Sequence, residues 1–332
     1  MIQKQQSSIQ KMNIIVNSFI PVTLNTIREN SNIGCDMFLE RNDKHNTYYV
    51  LYGDRKAIIK ANNIEQLKKR GIDTLFIRKK DQTNYFRYIE ANITGFINDE
   101  RISAKVKAQT IYNVAKVIAM DLFESRHISN EVKRSKNWAL HTVEFLLRKR
   151  EASSMMLHMI SHNYSTFTHS VDVAVLGLLF SKYLGFYDEE IHDLVVGLLL
   201  HDIGKTKINK KIINKTDALT DMEYASMRKH VEEGVKMLNE TGGLTTESLY
   251  PVALHHERED GMGYPKGLKG GDIHKYGKIA RIIDVYNALT TQRSYSMAKS
   301  PFSALEIMGR KMGEGFDKNY FREYVLFLGK TG

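Results

Sequence analysis

Residues 255–265 read His255-His256-Glu257-Arg258-Glu259-Asp260-Gly261-Met262-Gly263-Tyr264-Pro265. Adjacent histidines beside a glycine-rich loop make a poor core and a good metal site. Upstream, His201-Asp202 closes the apolar run Leu194 to Leu200. An unpaired carboxylate is expensive to bury, so Asp202 needs a cation or a strong partner. His169 enters another apolar stretch through Thr168-His169-Ser170-Val171. His230 falls within a predicted helix from Met222 to Leu238. Asp284 sits in Ile279-Ala280-Arg281-Ile282-Ile283-Asp284-Val285. Five imidazoles and two carboxylates in such settings suit a pair of divalent transition metals. The donor set favours iron, manganese, zinc or nickel over calcium or magnesium. Asp202 has two oxygens and can bridge both ions. Two ions about 3.5–4 Å apart can share a hydroxide and clamp a phosphoryl displacement. The plain alternative is a set of unrelated core histidines. One buried histidine would fit that description, but the set with its adjacent pairs does not. The remaining histidines, His45, His127, His141, His158, His162, His192 and His274, have no partner at telling spacing and read as surface or satisfied core residues.

Around this set lie candidate substrate contacts. Gly204 in His201-Asp202-Ile203-Gly204-Lys205 would let the helix end turn and bring the ammonium near the metals. A lysine there can neutralise a phosphate oxygen. It is equally ordinary as a helix-terminal lysine favoured by the macrodipole. In the loop Glu257 to Pro265, two glycines are expected for positive φ and a proline for a fixed exit. Tyr264 offers a ring to stack on a base and a hydroxyl for phosphate. Arg258 and Arg293 are candidate phosphate or guanine contacts. For Arg258 a surface ion pair is an equal alternative.

These side chains need elements to carry them. The chain has 332 residues, enough for two domains of ~100–200 residues. Thr47 to Tyr52 reads as a strand stopped by Gly53-Asp54, Thr74 to Ile77 as another, and Ile64 to Arg70 as a helix closed by Gly71. Residues 1–12 are polar and expected to be loose, and residues 1–95 are expected to form a small α+β domain. Beyond residue 98 the period changes. Ile102, Val106, Ile111, Val114, Val117, Ile118 and Leu122 recur at helical spacing. The expectation is a linking helix over 96–134 and an all-helical domain over 135–332, α+β overall. The 102–122 stripe could dimerise two copies, but packing onto its own domain is the preferred reading. A net charge of +10 could draw in nucleic acid, anionic lipid or an anionic small substrate, although solvated basic faces explain much of it. No basic run alternates with aromatics as a groove for a nucleic acid strand would, so no nucleic acid polymer is expected. Cys35 is the lone cysteine, which excludes an intrachain disulfide and fits a reducing compartment. The apolar stretch Ile14 to Val22 is too short to span a bilayer. A cytoplasmic location is expected.

Taken together, these residues resemble the HD-GYP group of the HD-domain metallophosphohydrolases. The likeness runs through His201-Asp202-Ile203-Gly204-Lys205, His230, His255-His256-Glu257-Arg258, Asp260-Gly261, Gly263-Tyr264-Pro265, and Asp284 with Ala288-Leu289-Thr290 and Arg293. It covers residues 135–325, and order, spacing and the long loop motif all agree. The resemblance implies an all-helical catalytic domain in bacterial signalling. That group hydrolyses cyclic di-GMP to pGpG and often on to GMP. It implies that His169, His201, Asp202 and Asp284 hold one metal and that His230, His255 and His256 hold the second, with Asp202 bridging. A bridging hydroxide would attack phosphorus while Lys205 stabilises the developing charge. Iron is the expected metal, with manganese as the alternative. The N-terminal domain would sense a signal or bind a partner, and the Gly261–Pro265 loop could meet a diguanylate cyclase. There are two departures. Some members use a glutamate four residues before the first histidine to hold a third metal; here Ser165 stands there, so two metals are expected. The group's Arg-Pro-Tyr-basic pattern reads Arg293-Ser294-Tyr295-Ser296, which removes one phosphate contact. A binding module without useful turnover, and an enzyme for another cyclic dinucleotide, are the alternatives.

Overall fold

A computed structural model describes residues 18–43, 46–148, 150–160, 165–292 and 297–331. It divides into two compact units, 1–103 and 104–332. The first holds strands β1 (Phe19–Thr23), β2 (Met37–Asn42), β3 (Thr47–Gly53) and β4 (Thr74–Arg78), with helices α1 (Ala61–Lys69), α2 (Gln82–Ala91) and α3 (Ile93–Asn98). The strands form an antiparallel sheet in the order β1-β4-β2-β3. Leu75 and Ile77 of β4 are fully buried while their neighbours are not, as the period of two requires. Pro21 lies in β1, at the edge of the sheet, where a missing ladder donor is tolerated. α1 ends just before Gly71, which takes φ 71°. Asp99 accepts from Arg28 at 3.3 Å and from Arg101 at 2.7 Å, which ties the end of the unit to its start.

The second unit is helical among the described residues: α4 (Ala104–Glu124), α5 (Ser129–Arg148), α6 (Arg150–Leu157), α7 (Thr166–Tyr183), α8 (Asp188–Leu200), α9 (Lys210–Ile213), α10 (Asp221–Arg228), α11 (His230–Thr241), α12 (Thr246–Leu254), α13 (Lys275–Thr290), α14 (Pro301–Met312) and α15 (Lys318–Thr331). Over 96–134, where one linking helix is expected, the backbone forms the end of α3, all of α4 and the start of α5. The apolar stripe of α4 is buried, and α4 packs on α5, α6 and α7. Trp138 of α5 donates its indole N–H to the Ile111 carbonyl at 3.0 Å. α7 from Thr168 to Ser181 and α8 from Leu194 to Leu200 are buried almost all round and form the centre of the unit, as helix segments buried on every side do. Among the described residues no helix is long and apolar enough to cross a membrane. The α+β organisation, a small sheet unit followed by an all-helical one, is as expected.

A second predicted helix also differs. The helix expected from Met222 to Leu238 is broken at Lys229 into α10 and α11. His230 therefore begins α11, and its Nδ1 meets the Met227 carbonyl of the preceding turn at 2.8 Å.

Candidate metal centre

The helical unit brings the expected ligands together from separate elements. His169 comes from the first turns of α7 and Asp284 from the middle of α13. His201 and Asp202 follow the end of α8, His230 opens α11, and His255 and His256 follow the end of α12. Ligand atoms of His169, His201 and Asp202 lie within 4.8 Å of one another, and so do those of His230, His255 and His256. Asp202 stands between the two groups. Its Oδ2 faces His201 Nε2 at 3.4 Å and His169 Nε2 at 3.8 Å. Its Oδ1 faces His230 Nε2 at 3.5 Å and His255 Nε2 at 4.0 Å. Asp284 Oδ1 lies 3.0 Å from His169 Nε2.

The partners of the other ring nitrogens set the tautomers. His201 Nδ1 meets the Leu198 carbonyl at 2.7 Å, and His230 Nδ1 meets the Met227 carbonyl at 2.8 Å. His255 Nδ1 lies 3.0 Å from the Pro251 and Val252 carbonyls, and His169 Nδ1 lies 2.7 Å from Asn287 Oδ1. For His201, His230 and His255 a carbonyl acceptor there puts the proton on Nδ1 and leaves Nε2 as a lone-pair donor aimed inward, while His169 meets an oxygen at each nitrogen, Asn287 Oδ1 and Asp284 Oδ1. His230 Nε2 and His255 Nε2 are then only 3.2 Å apart, two lone pairs face to face. A cation between them removes that conflict. His201 Nε2 and Asp202 Oδ1 are buried with no hydrogen-bond partner among the described residues. Orphaned donors of this kind fit divalent cations better than they fit a dry core.

Electrostatics point the same way. Burial pushes the imidazoles of His201, His230 and His255 below their ordinary value, and that of His256 down to about 3. Neutral imidazole is the metal-binding form. Burial alone would raise Asp202, but Lys205, His201, His230 and His169 together hold it well below the usual carboxylate range. Asp284 is likewise held low against its burial, chiefly by His169. The Lys205 ammonium sits 2.5 Å from Asp202 Oδ2, so it is near the centre as expected. The centre opens on one side, where Asp284, His256, Lys205 and Tyr264 are only partly buried.

Two expected roles for glycine change. Gly204 does not take positive φ. A Cβ there would lie 1.9 Å from the His230 carbonyl oxygen, so glycine is needed for close packing on the start of α11. In the loop only Gly261 has positive φ, at 78°. A Cβ at Gly263 would strike the backbone of His256, Glu257 and Arg258 within 2.6 Å. The loop folds back on its own beginning, and Gly263 is the point of contact. Buried Glu257 clamps it, accepting from Lys266 N at 2.7 Å and Leu268 N at 2.9 Å.

The other expected contacts divide. The Arg258 guanidinium is paired with Asp260, whose carboxyl it lowers to about 2. The Tyr264 ring stacks on His256, with centroids 4.5 Å apart, and carries the Arg228 guanidinium 4.5 Å from its centroid. Arg293 and Ser296 lie outside the described residues. Ser165 is the N-cap of α7, its hydroxyl accepting from Thr168 N at 3.2 Å. Sequence reasoning missed Asn287, Arg228 and the clamp at Glu257. Glu257 gave a signal of its own, a carboxylate in a turn whose backbone N–H groups need acceptors.

Residues 150–320, more than half of the chain, match the HD domain family. This chain belongs to the HD domain family. The HD domain chain is 32% identical over 184 residues to a cyclic di-GMP phosphodiesterase of Pseudomonas aeruginosa, covering 55% of this chain and 44% of that protein. It is 32% identical over 178 residues to 3'3'-cGAMP-specific phosphodiesterase 2 of Vibrio cholerae, covering 52% of this chain and 34% of that protein. The matches thus span less than half of each relative. Bd1817, a HDG"Y"P protein from Bdellovibrio bacteriovorus, shares the fold with a TM-score of 0.64 at 19% identity, covering 94% of this chain and 99% of that one. The family resemblance read from the sequence is borne out, and the HD domain's histidine and aspartate cluster is compatible with divalent metal binding.

Proposed function

We propose that this HD domain protein is a metal-dependent phosphodiesterase acting on cyclic di-GMP and releasing pGpG, GMP or both. The observation that carries this reading is Asp202, whose two oxygens face two separate histidine groups. His169, His201, Asp202 and Asp284 would hold one ion, and His230, His255 and His256 the other, with Asp202 shared. Divalent ions there would supply an acidified water and positive charge for the phosphoryl oxygens. In the net reaction one water adds to phosphorus and one P–O ester bond breaks, giving a phosphate monoester and a free hydroxyl. The chain's own residues bind and orient. Lys205 offers its ammonium to a non-bridging oxygen as charge develops. The Nδ1 partners orient the imidazoles of His169, His201, His230 and His255. Tyr264 holds His256 in place, and Arg258 and Arg293 remain candidate substrate contacts. The N-cap role of Ser165 supports two ions rather than three. Iron is the favoured metal, with manganese as the alternative.

A second substrate has specific support. One relative of equal identity is named for 3'3'-cGAMP, so that dinucleotide belongs in the same assay. The test is metal analysis of anaerobically purified protein, paired with product analysis on both substrates. Tight binding of cyclic di-GMP with no product under iron or manganese would replace the enzyme with a binding module.

A further inference from the structure

We infer that Tyr224 and Arg228 form a guanine-binding shelf beside the metal centre, the part of the protein that selects its cyclic dinucleotide. This rests on the phosphodiesterase reading above and extends it to base recognition.

α10 is held at both ends. Thr220 and Glu223 form a capping box at its start, and Lys215 pairs with Glu223 at 2.6 Å. At its other end the Met227 carbonyl meets His230 Nδ1 at 2.8 Å, which ties the helix to a candidate ligand. Tyr224 and Arg228 are four residues apart and share a helix face. The Arg228 guanidinium lies 4.5 Å from the Tyr264 ring centroid and 6.0 Å from that of Tyr224. The two rings meet edge-on at 6.4 Å and 80°. Tyr264 in turn stacks on His256. A continuous line of contacts therefore runs from His256 through Tyr264 and Arg228 to Tyr224, from the centre out to solvent.

At its outer end this line faces solvent. Tyr224 is 49% exposed, and Arg228 is exposed and has no carboxylate partner among the described residues. The nearby Glu223 is taken by Lys215. A guanidinium already laid on a tyrosine ring is planar, permanently charged and partly pre-organised. Its free fork matches two adjacent acceptors, and guanine presents such a pair in O6 and N7. Adenine offers one acceptor and one donor on the same edge. With one phosphodiester at the histidine cluster, the neighbouring base of a cyclic dinucleotide would reach outward to this shelf. Tyr224 supplies the ring against which that base rests.

The experiment uses the full chain loaded with iron or manganese. Steady-state constants are measured on cyclic di-GMP, cyclic di-AMP and the base-free diester bis(p-nitrophenyl) phosphate. Arg228→Ala should raise KM for cyclic di-GMP by roughly tenfold, the worth of a good bidentate contact. The loss should exceed that on cyclic di-AMP and on the base-free diester, and the preference for guanine should shrink accordingly. Arg228→Lys should not restore it, because an ammonium neither stacks nor forks. Tyr224→Ala should weaken both cyclic dinucleotides more than the base-free diester. Wild-type turnover of cyclic di-GMP with an unchanged KM in Arg228→Ala would overturn the shelf alone. Equal losses on all three diesters would overturn it too, leaving Arg228 as a support for Tyr264 and His256. A wild-type protein that holds metal and cleaves no cyclic dinucleotide would overturn the phosphodiesterase reading and the shelf with it.

Discussion

In the sheet unit, Asp99 is paired with two arginines of its own unit; in the helical unit, Asp202 and Asp284 share one lysine, on Asp202. Asp99 Oδ2 receives both Arg28 and Arg101, and Arg101 holds the carboxyl down to about 2. Its charge is balanced locally and needs nothing further. At the candidate metal centre, buried Asp202 meets one ammonium, that of Lys205, and both carboxylates meet imidazoles whose charged form burial disfavours at His201 and His255. Among the described residues Asp284 has no lysine or arginine at ion-pair distance and meets His169 alone, with further imidazole lone pairs converging beside it. Uncompensated buried charge costs several kcal/mol. The sheet unit uses its charges to stabilise the fold, while the helical unit gathers unpartnered carboxylate and imidazole lone pairs that a divalent ion would satisfy.

The hardest test of that contrast is Asp202→Ala. It should remove bound metal and bring hydrolysis of cyclic di-GMP to background together, measured by elemental analysis and product chromatography. A metal-free variant with wild-type turnover would defeat the metal mechanism. Asn287→Ala should act less strongly. It removes the oxygen that fixes the His169 tautomer, so metal affinity should fall roughly 10–100-fold while the fold persists. Competition with a chelator of known affinity measures this. Metal itself should stabilise the helical unit by about 2.7 kcal/mol at a hundredfold excess over Kd. Trp138, the lone tryptophan, is fully buried in α5 and reports the helical unit by fluorescence. Its melting should rise by roughly 5–10 °C on adding metal. An unmoved transition at saturating metal would mean that the cluster is filled by its own contacts.

The contrast between the two units was partly legible beforehand. His201-Asp202, His255-His256 and Asp284 stand out because charged or polar residues at the ends of apolar runs must meet something. Residue type and local pattern are enough for that inference. The role of Gly204 depends on the backbone at His230, distant in sequence, so a turn was the natural expectation. The break at Lys229 has no glycine or proline to announce it. Tyr264 meets Tyr224 and Arg228 through tertiary packing, which no periodicity encodes. In the sheet unit the strand order β1-β4-β2-β3 follows from long-range pairing, and β1 was obscured by Pro21. Local pattern finds the candidate ligands; the supporting residues come from elements far apart in the chain.

The smallest expected effect tests the other half of the comparison. Asp99 has a folded pKa of about 2, below the ordinary value of 3.8. A depressed carboxylate contributes stability that is present above its unfolded pKa and is lost as pH falls through the folded one. The sheet unit should therefore lose this contribution between about pH 4 and pH 2. Arg101 is largely exposed, so solvent screening trims the contribution to about 1 kcal/mol. Asp99→Asn should lower stability near neutral pH by that amount and flatten the acid limb of denaturant-unfolding midpoints over the same window. Metal titration should move neither quantity, because this carboxylate already has its cations. A metal-dependent shift in the acid limb of Asp99→Asn would show that the two units do not keep separate charge balances.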